Sequence, residues 1–171
     1  VLNCEGGQFV NKEGKAISAD RLSIRGDVYL RAGFKAEGEV RLPGTRIMGD
    51  LSCSEGNFIN GHSTALVADG SKVERSILLN RGFNAEGKVS LIGVKIGGNL
   101  EIVNSRIANK DKEAISADGM KVGNSVFLRN DFKAEGLVSL VGSSVNKYFC
   151  MTNVDSPDNM TLDLVSAKIG T

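Results

Sequence analysis

The chain has 171 residues, with 21 basic and 20 acidic side chains and a formal net charge of +1. The two signs are interspersed along it, so it lacks the basic face of a nucleic-acid binder, and no nucleic-acid partner is expected. Apolar residues make up 41%, enough to line one continuous domain over residues 1–171, and no signal peptide or span of membrane length is visible.

Read from the N-terminus, the first landmark is Phe9, which opens a series: Phe9, Phe34, Phe58, Phe83, Ile107 and Phe132, spaced 25, 24, 25, 24 and 25 residues apart. Five of the seven phenylalanines belong to it. Aliphatic columns keep step: Ile17, Val40, Leu66, Val89, Ile115, Val138 and Leu162; Ile24, Ile47, Val73, Ile96, Val122, Val145 and Ile169; Val28, Leu51, Ile77, Leu100, Val126 and Phe149. Within each coil, apolar residues fall at i and i+2, which puts them on one face of a strand. Short β-type runs at a long fixed period predict a solenoid, in which each coil buries its face only against its neighbours. The fold class expected is an all-β, single-stranded β-solenoid (β-helix, right-handed) of about seven coils of 24–25 residues, with the phenylalanines stacked inward. Helical repeats are excluded because no apolar pattern of period 3.6 lasts ten residues.

The unit repeats in pairs. GFKAEGEVRL from Gly33, GFNAEGKVSL from Gly82 and DFKAEGLVSL from Asp131 start 49 residues apart. After Phe34, Phe83 and Phe132 the link to the next strand is short and contains Ala-Glu-Gly, read as a tight turn. After Phe9, Phe58 and Ile107 it is longer and polar. The two kinds of link occupy one edge of the rod in alternate coils. From Asn153 to Asn159 the pattern loosens into an irregular loop containing Pro157 in place of the phenylalanine position.

Three cysteines are present. Cys4 and Cys53 share a column two coils apart, roughly 9.6 Å at the strand spacing, beyond disulfide reach. Cys150 lies between the inward Phe149 and Met151 and should face outward. No disulfide framework is expected, which favours a reducing compartment.

The candidate chemistry is thin. Glu37, Glu86 and Glu135, and likewise Asp20, Asp69 and Asp118, form ladders beside glycines, where turn chemistry accounts for them. Gly93, Gly97 and Gly98 lack the following helix of a dinucleotide loop. His62 is the single histidine, so neither a histidine metal cluster nor a Ser-His-Asp triad can be assembled. The remaining feature is the edge of long links. Repeat proteins place insertions on one face, often the binding face. Lys12, Glu13 and Lys15 line the first link, His62, Ser63 and Thr64 the second, and Lys110, Asp111, Lys112 and Glu113 the third. They define a polar strip suited to a protein partner or a glycan.

The stretch GDVYLRAGFKAEGEVRLPGTRIMGDLSC (Gly26 to Cys53), repeated from Ser76 to Ile102 and from Asn124 to Met151, resembles a family of bacterial β-solenoid repeat proteins often described as "membrane-associated oxidoreductase". The resemblance implies a bacterial origin and a cytoplasmic or membrane-associated setting. It brings no catalytic residues with it, and the sequence carries no nicotinamide, flavin, haem or iron–sulfur motif, so no cofactor is expected. The function expected is that of a non-enzymatic scaffold or protein-interaction module, with a glycan-binding or glycan-cleaving β-helix as the alternative. The chain begins and ends within a repeat, as a piece of a longer protein would. Contact with a membrane is therefore expected only through segments outside it. Its terminal coils, with Leu2, Cys4, Leu162, Leu164 and Ile169, are expected to be sticky and prone to end-to-end self-association.

Overall fold

The computed structural model describes residues 1–155 and 160–170, except for the side chain of His62. Within them there are strands, turns and bends but no helix. Every strand pairing is parallel and joins one coil to the next. The result is a β-solenoid of about seven turns with three faces. Face A stacks Leu2–Asn3, Val28–Tyr29, Leu51–Ser52, Ile77–Asn80 and Leu100–Val103. Face B stacks Gln8–Ser18, Lys35–Arg41, Asn57–Val67, Asn84–Ser90 and Arg106–Ser116. In the sixth coil one strand, Val126–Ser139, runs across both faces and joins them into a 13-stranded sheet. Face C is a separate seven-stranded sheet of two-residue strands, from Ser23–Ile24 to Lys168–Ile169.

The columns close into one core. Phe34, Phe58, Phe83 and Phe132 are fully buried, as are Val28, Leu51, Ile77, Val40, Leu66 and Val73. Each such side chain contributes about 1.5–3 kcal/mol by leaving water. The phenylalanine rings stack up the axis with centroids 5.6, 5.1 and 5.2 Å apart from Phe9 to Phe83, tilted by 35–48°.

The backbone beneath this stack is not one column. In register, Phe9 pairs with Ala36, Ala36 with Phe58, Phe58 with Ala85, and Ala85 with Ile107. Phe34 and Phe83 stand two residues upstream of those alanines. Rings from two alternating backbone positions therefore converge on one stack. Ala36, Ala85 and Ala134 are small because a phenylalanine or isoleucine from an adjacent coil lies at their level; all three are fully buried.

Two sequence expectations are corrected here. The Ala-Glu-Gly stretches are not tight turns but the middles of the extended strands Lys35–Arg41, Asn84–Ser90 and Val126–Ser139. Their glycines, Gly38, Gly87 and Gly136, sit at φ near +120°, a conformation open only to glycine. The expected loop from Asn153 begins as strand: Asn153, Val154 and Asp155 belong to Phe149–Asp155, and Val154 pairs with Phe132 in the phenylalanine position. The rest of that stretch, with Pro157, lies outside the described residues. Met151 pairs with Leu128 as expected but is 36% exposed. Leu2, Cys4, Leu162 and Leu164 are likewise only half-buried, and Ile169 is exposed.

A polar ladder runs up the corner between faces C and A. The Asp27 carboxylate accepts the Asp50 backbone N–H, Asp50 that of Ser76, Ser76 that of Asn99, Asn99 that of Ser125, and Ser125 that of Tyr148. Each coil thus satisfies one backbone donor of the next that no strand partner reaches. At the opposite corner Asp69 accepts from the Ser90 hydroxyl and the Ile92 N–H, and Asp118 from Ser139 and the Val141 N–H. Asp69 and Asp118, in the turns where the sequence puts them, thus also cap the following coil, whereas Asp20 in the same ladder pairs with the Arg41 guanidinium.

Candidate functional site

The three long links are bulges on face B. Against Lys35–Arg41, the steps Val10↔Glu37 and Lys15↔Glu39 set five residues opposite two. The same mismatch recurs between Ile59 and Thr64 against Glu86 and Lys88, and between Ala108 and Glu113 against Glu135 and Leu137. An asparagine clasps each bulge. The Asn11 side-chain amide donates to the Lys15 carbonyl at 3.1 Å, Asn60 to Thr64 at 2.8 Å, and Asn109 to Glu113 at 2.6 Å. Carbonyls of the bulge, those of Asn11 and Gly14 in the first, fold onto the glycine of the next coil. A Cβ there would collide with them, as it would at Gly87 and Gly136 under the second and third bulges.

This construction gathers the candidate residues on one edge. Lys12, Glu13 and Lys15 line a shallow cleft of about 380 Å³ that the second bulge shares through Asn60 and Ser63. Ser63 and Thr64 line the next, of about 310 Å³, with Lys112 and Glu113 of the third bulge. Lys110 and Asp111 stand on the far side of the third bulge, beside Arg106 and Glu135. The side chain of His62 lies outside the described residues.

Ion pairs tie part of this edge down. Lys12 reaches Glu37 at 3.2 Å, which also holds Lys35 at 2.6 Å. The bond from Lys35, then that from Lys12, keeps the Glu37 carboxyl below the usual carboxylate range. Lys88 pairs with Glu113 at 3.4 Å and Arg106 with Glu135 at 2.7 Å. Each of these carboxylates faces a cation rather than a second acid, the opposite of the facing acid pair that glycoside hydrolysis uses. Among the described residues, no group of three His, Cys, Asp or Glu side chains is placed to hold a metal ion. The three cysteines are unpaired thiols; Cys53 is buried and burial pushes its thiol well above the ordinary range.

The asparagine clasp was legible as an Asn at the head of every long link, four residues before its partner, but only the paired bulge gives it a meaning. Among the described residues, no helix is long and apolar enough to cross a membrane. Comparison with family models, with curated proteins and with solved structures gives no match to this chain.

Proposed function

We propose that the protein is a non-enzymatic member of the bacterial β-solenoid family it resembles, a scaffold whose bulged edge docks a protein partner. The observation that supports this reading is the bulged edge itself. Three bulges share one backbone and one asparagine clasp, yet present different side chains: charged in the first and third, hydroxyl-rich in the second. A rigid frame with variable outward loops is the arrangement on which recognition residues are usually carried.

The test replaces residues 10–15, 59–64 and 108–113 each by the Glu-Gly of the alternate coils, which leaves Ile17, Leu66 and Ile115 in register, and compares partners cross-linked to the parent and to the variant. The expected result is loss of the parent's partner at unchanged far-UV circular dichroism and melting temperature. A partner retained by the folded variant would place docking elsewhere on the rod and end this reading.

A further inference from the structure

We propose that face C carries a second, separate binding site, a cationic trough for an acidic polysaccharide with carboxylate-bearing sugars. Parallel in-register stacking puts Arg46, Lys72, Lys95 and Lys121 directly above one another on four consecutive coils. Successive members stand roughly 4.8 Å apart at the backbone. Like charges stacked in this way destabilise a sheet unless something neutralises them. In the lower half something does: Glu74 takes Arg46 at 3.1 Å and Lys72 at 2.7 Å. In the upper half nothing does. Lys95 and Lys121 are exposed and have neither an ion pair nor a hydrogen-bond partner for their ammonium groups among the described residues.

The surface beside them is shaped as well as charged. The outward position next to Lys95 is Gly97, and that next to Lys121 is Gly123. A Cβ on either would run into the carbonyl of the coil below. With no side chain there, the two lysines overlook a trough of about 320 Å³, which Ser144 and Asn146 close at its upper end. Their hydroxyl and carboxamide make no hydrogen bond within the chain among the described residues. Two unpaired ammoniums beside an unpaired hydroxyl and carboxamide call for a ligand with acids and hydroxyl groups together. The trough lacks the aromatic platform on which single-stranded nucleic acid stacks. It also lacks a protruding aromatic or arginine anchor of the kind that dominates protein interfaces; Ile96 and Val122 beneath it are buried in the core. Local rules broken without internal compensation concentrate at functional sites.

This site is independent of the bulged edge, and its test separates the two. The parent is titrated with polygalacturonate, with its methyl-esterified form and with poly-L-glutamate. The expected result is binding to polygalacturonate that fades with esterification and with salt, and weaker binding to poly-L-glutamate. Lys95→Gln with Lys121→Gln weakens the polygalacturonate interaction about ten-fold, the effect of losing two exposed ion pairs. The same variant melts at or above the parent temperature, because a like-charge repulsion has been removed. Lys12→Gln with Lys15→Gln, on the bulged edge, leaves this binding unchanged. Three outcomes would overturn the proposal: no binding by the parent, full binding by the Lys95/Lys121 variant, or binding to poly-L-glutamate as tight as to polygalacturonate. The last would make the trough a site for acidic peptides.

Discussion

The break in the phenylalanine column at Ile107 has a steric cause that a double-mutant cycle can measure. In the first and second bulged coils, the residue two before the ring is glycine, Gly7 and Gly56; in the third it is Ser105, and there the ring is replaced by Ile107. A Cβ on Gly56 would lie 2.8 Å from Cε2 of Phe58, against 3.4–4 Å for ordinary contact. The ring cannot slide away, because Phe34 and Phe83 hold it at 5.1 and 5.2 Å on either side. Gly56→Ser is therefore an overpacking change worth about 1–3 kcal/mol. Phe58→Ile, which leaves part of the ring volume empty, costs about 1–3 kcal/mol alone. In the double variant the clash with the ring is gone, while the approach to the Leu30 and Cys53 carbonyls, 2.7 and 2.9 Å from the added Cβ, remains. The two changes should cost at least about 1 kcal/mol less together than the sum of the singles. Urea unfolding followed by circular dichroism reads these values, provided the m-value is unchanged. The reverse cycle belongs to the third bulged coil: Ile107→Phe destabilises, and Ser105→Gly relieves it, all the more because the buried Ser105 hydroxyl has no hydrogen-bond partner among the described residues. Additive costs in both cycles would refute the steric pairing of these positions.

Two further outcomes follow from the polar ladder. Asp50→Asn should be nearly neutral, since Asn99 already serves as a rung in the same column, whereas Asp50→Ala strands the Ser76 N–H and should cost about 1–3 kcal/mol in the same unfolding assay. The Asp27 carboxyl is held below its ordinary value, first by the Asp50 backbone N–H and then by the Tyr29 hydroxyl. A depressed carboxyl contributes stability that is present above its unfolded pKa and is lost as pH falls through that value towards the folded one. The melting temperature should accordingly hold from pH 7 to about 5 and decline below about 4, and Asp27→Asn should flatten part of that decline; an unchanged acid profile in this variant would remove Asp27 from the account.

The rod, its coil count and its buried columns were legible because a β-solenoid writes its core directly into sequence spacing: Phe34, Phe58 and Phe83 are buried where the period puts them. What a pass along one chain does not see is the coil above. Gly38 follows Glu37 and reads as turn punctuation, yet it lies mid-strand against the carbonyls of Asn11 and Gly14 from the preceding coil. Ala36 reads as filler, and its size is set by the rings of Phe9 and Phe58 at its level. The bulged edge was found because extra length is visible in sequence. The trough on face C was not, because Lys95 and Lys121 read singly as solvated charges and become a pair only through their register.

The bulge also explains why the repeat is a pair of coils. A bulged coil needs a glycine at φ near +120° above it, and the coil that supplies that glycine has no bulge of its own. Bulged and plain coils must therefore alternate, so that the stable unit of insertion or deletion is 49 residues, not 24 or 25. Deleting residues 34–82 joins Gly33 to Phe83 and sets a plain coil on a bulged one, as in the parent. Deleting residues 34–55 joins Gly33 to Gly56, keeps Phe58 at the level of Ala36, and sets the second bulge on the first. The Asn11 carbonyl then meets Asn60 where Gly38 had been, and two bulges compete for one space. In a solenoid, stability is a sum of coil terms and nearest-neighbour interfaces. The longer deletion should thus keep cooperative unfolding, with an m-value lowered in line with the lost surface. The shorter one removes less core yet should melt at the lower temperature. A shorter-deletion variant more stable than the longer one would show that the bulge and the glycine above it are not coupled.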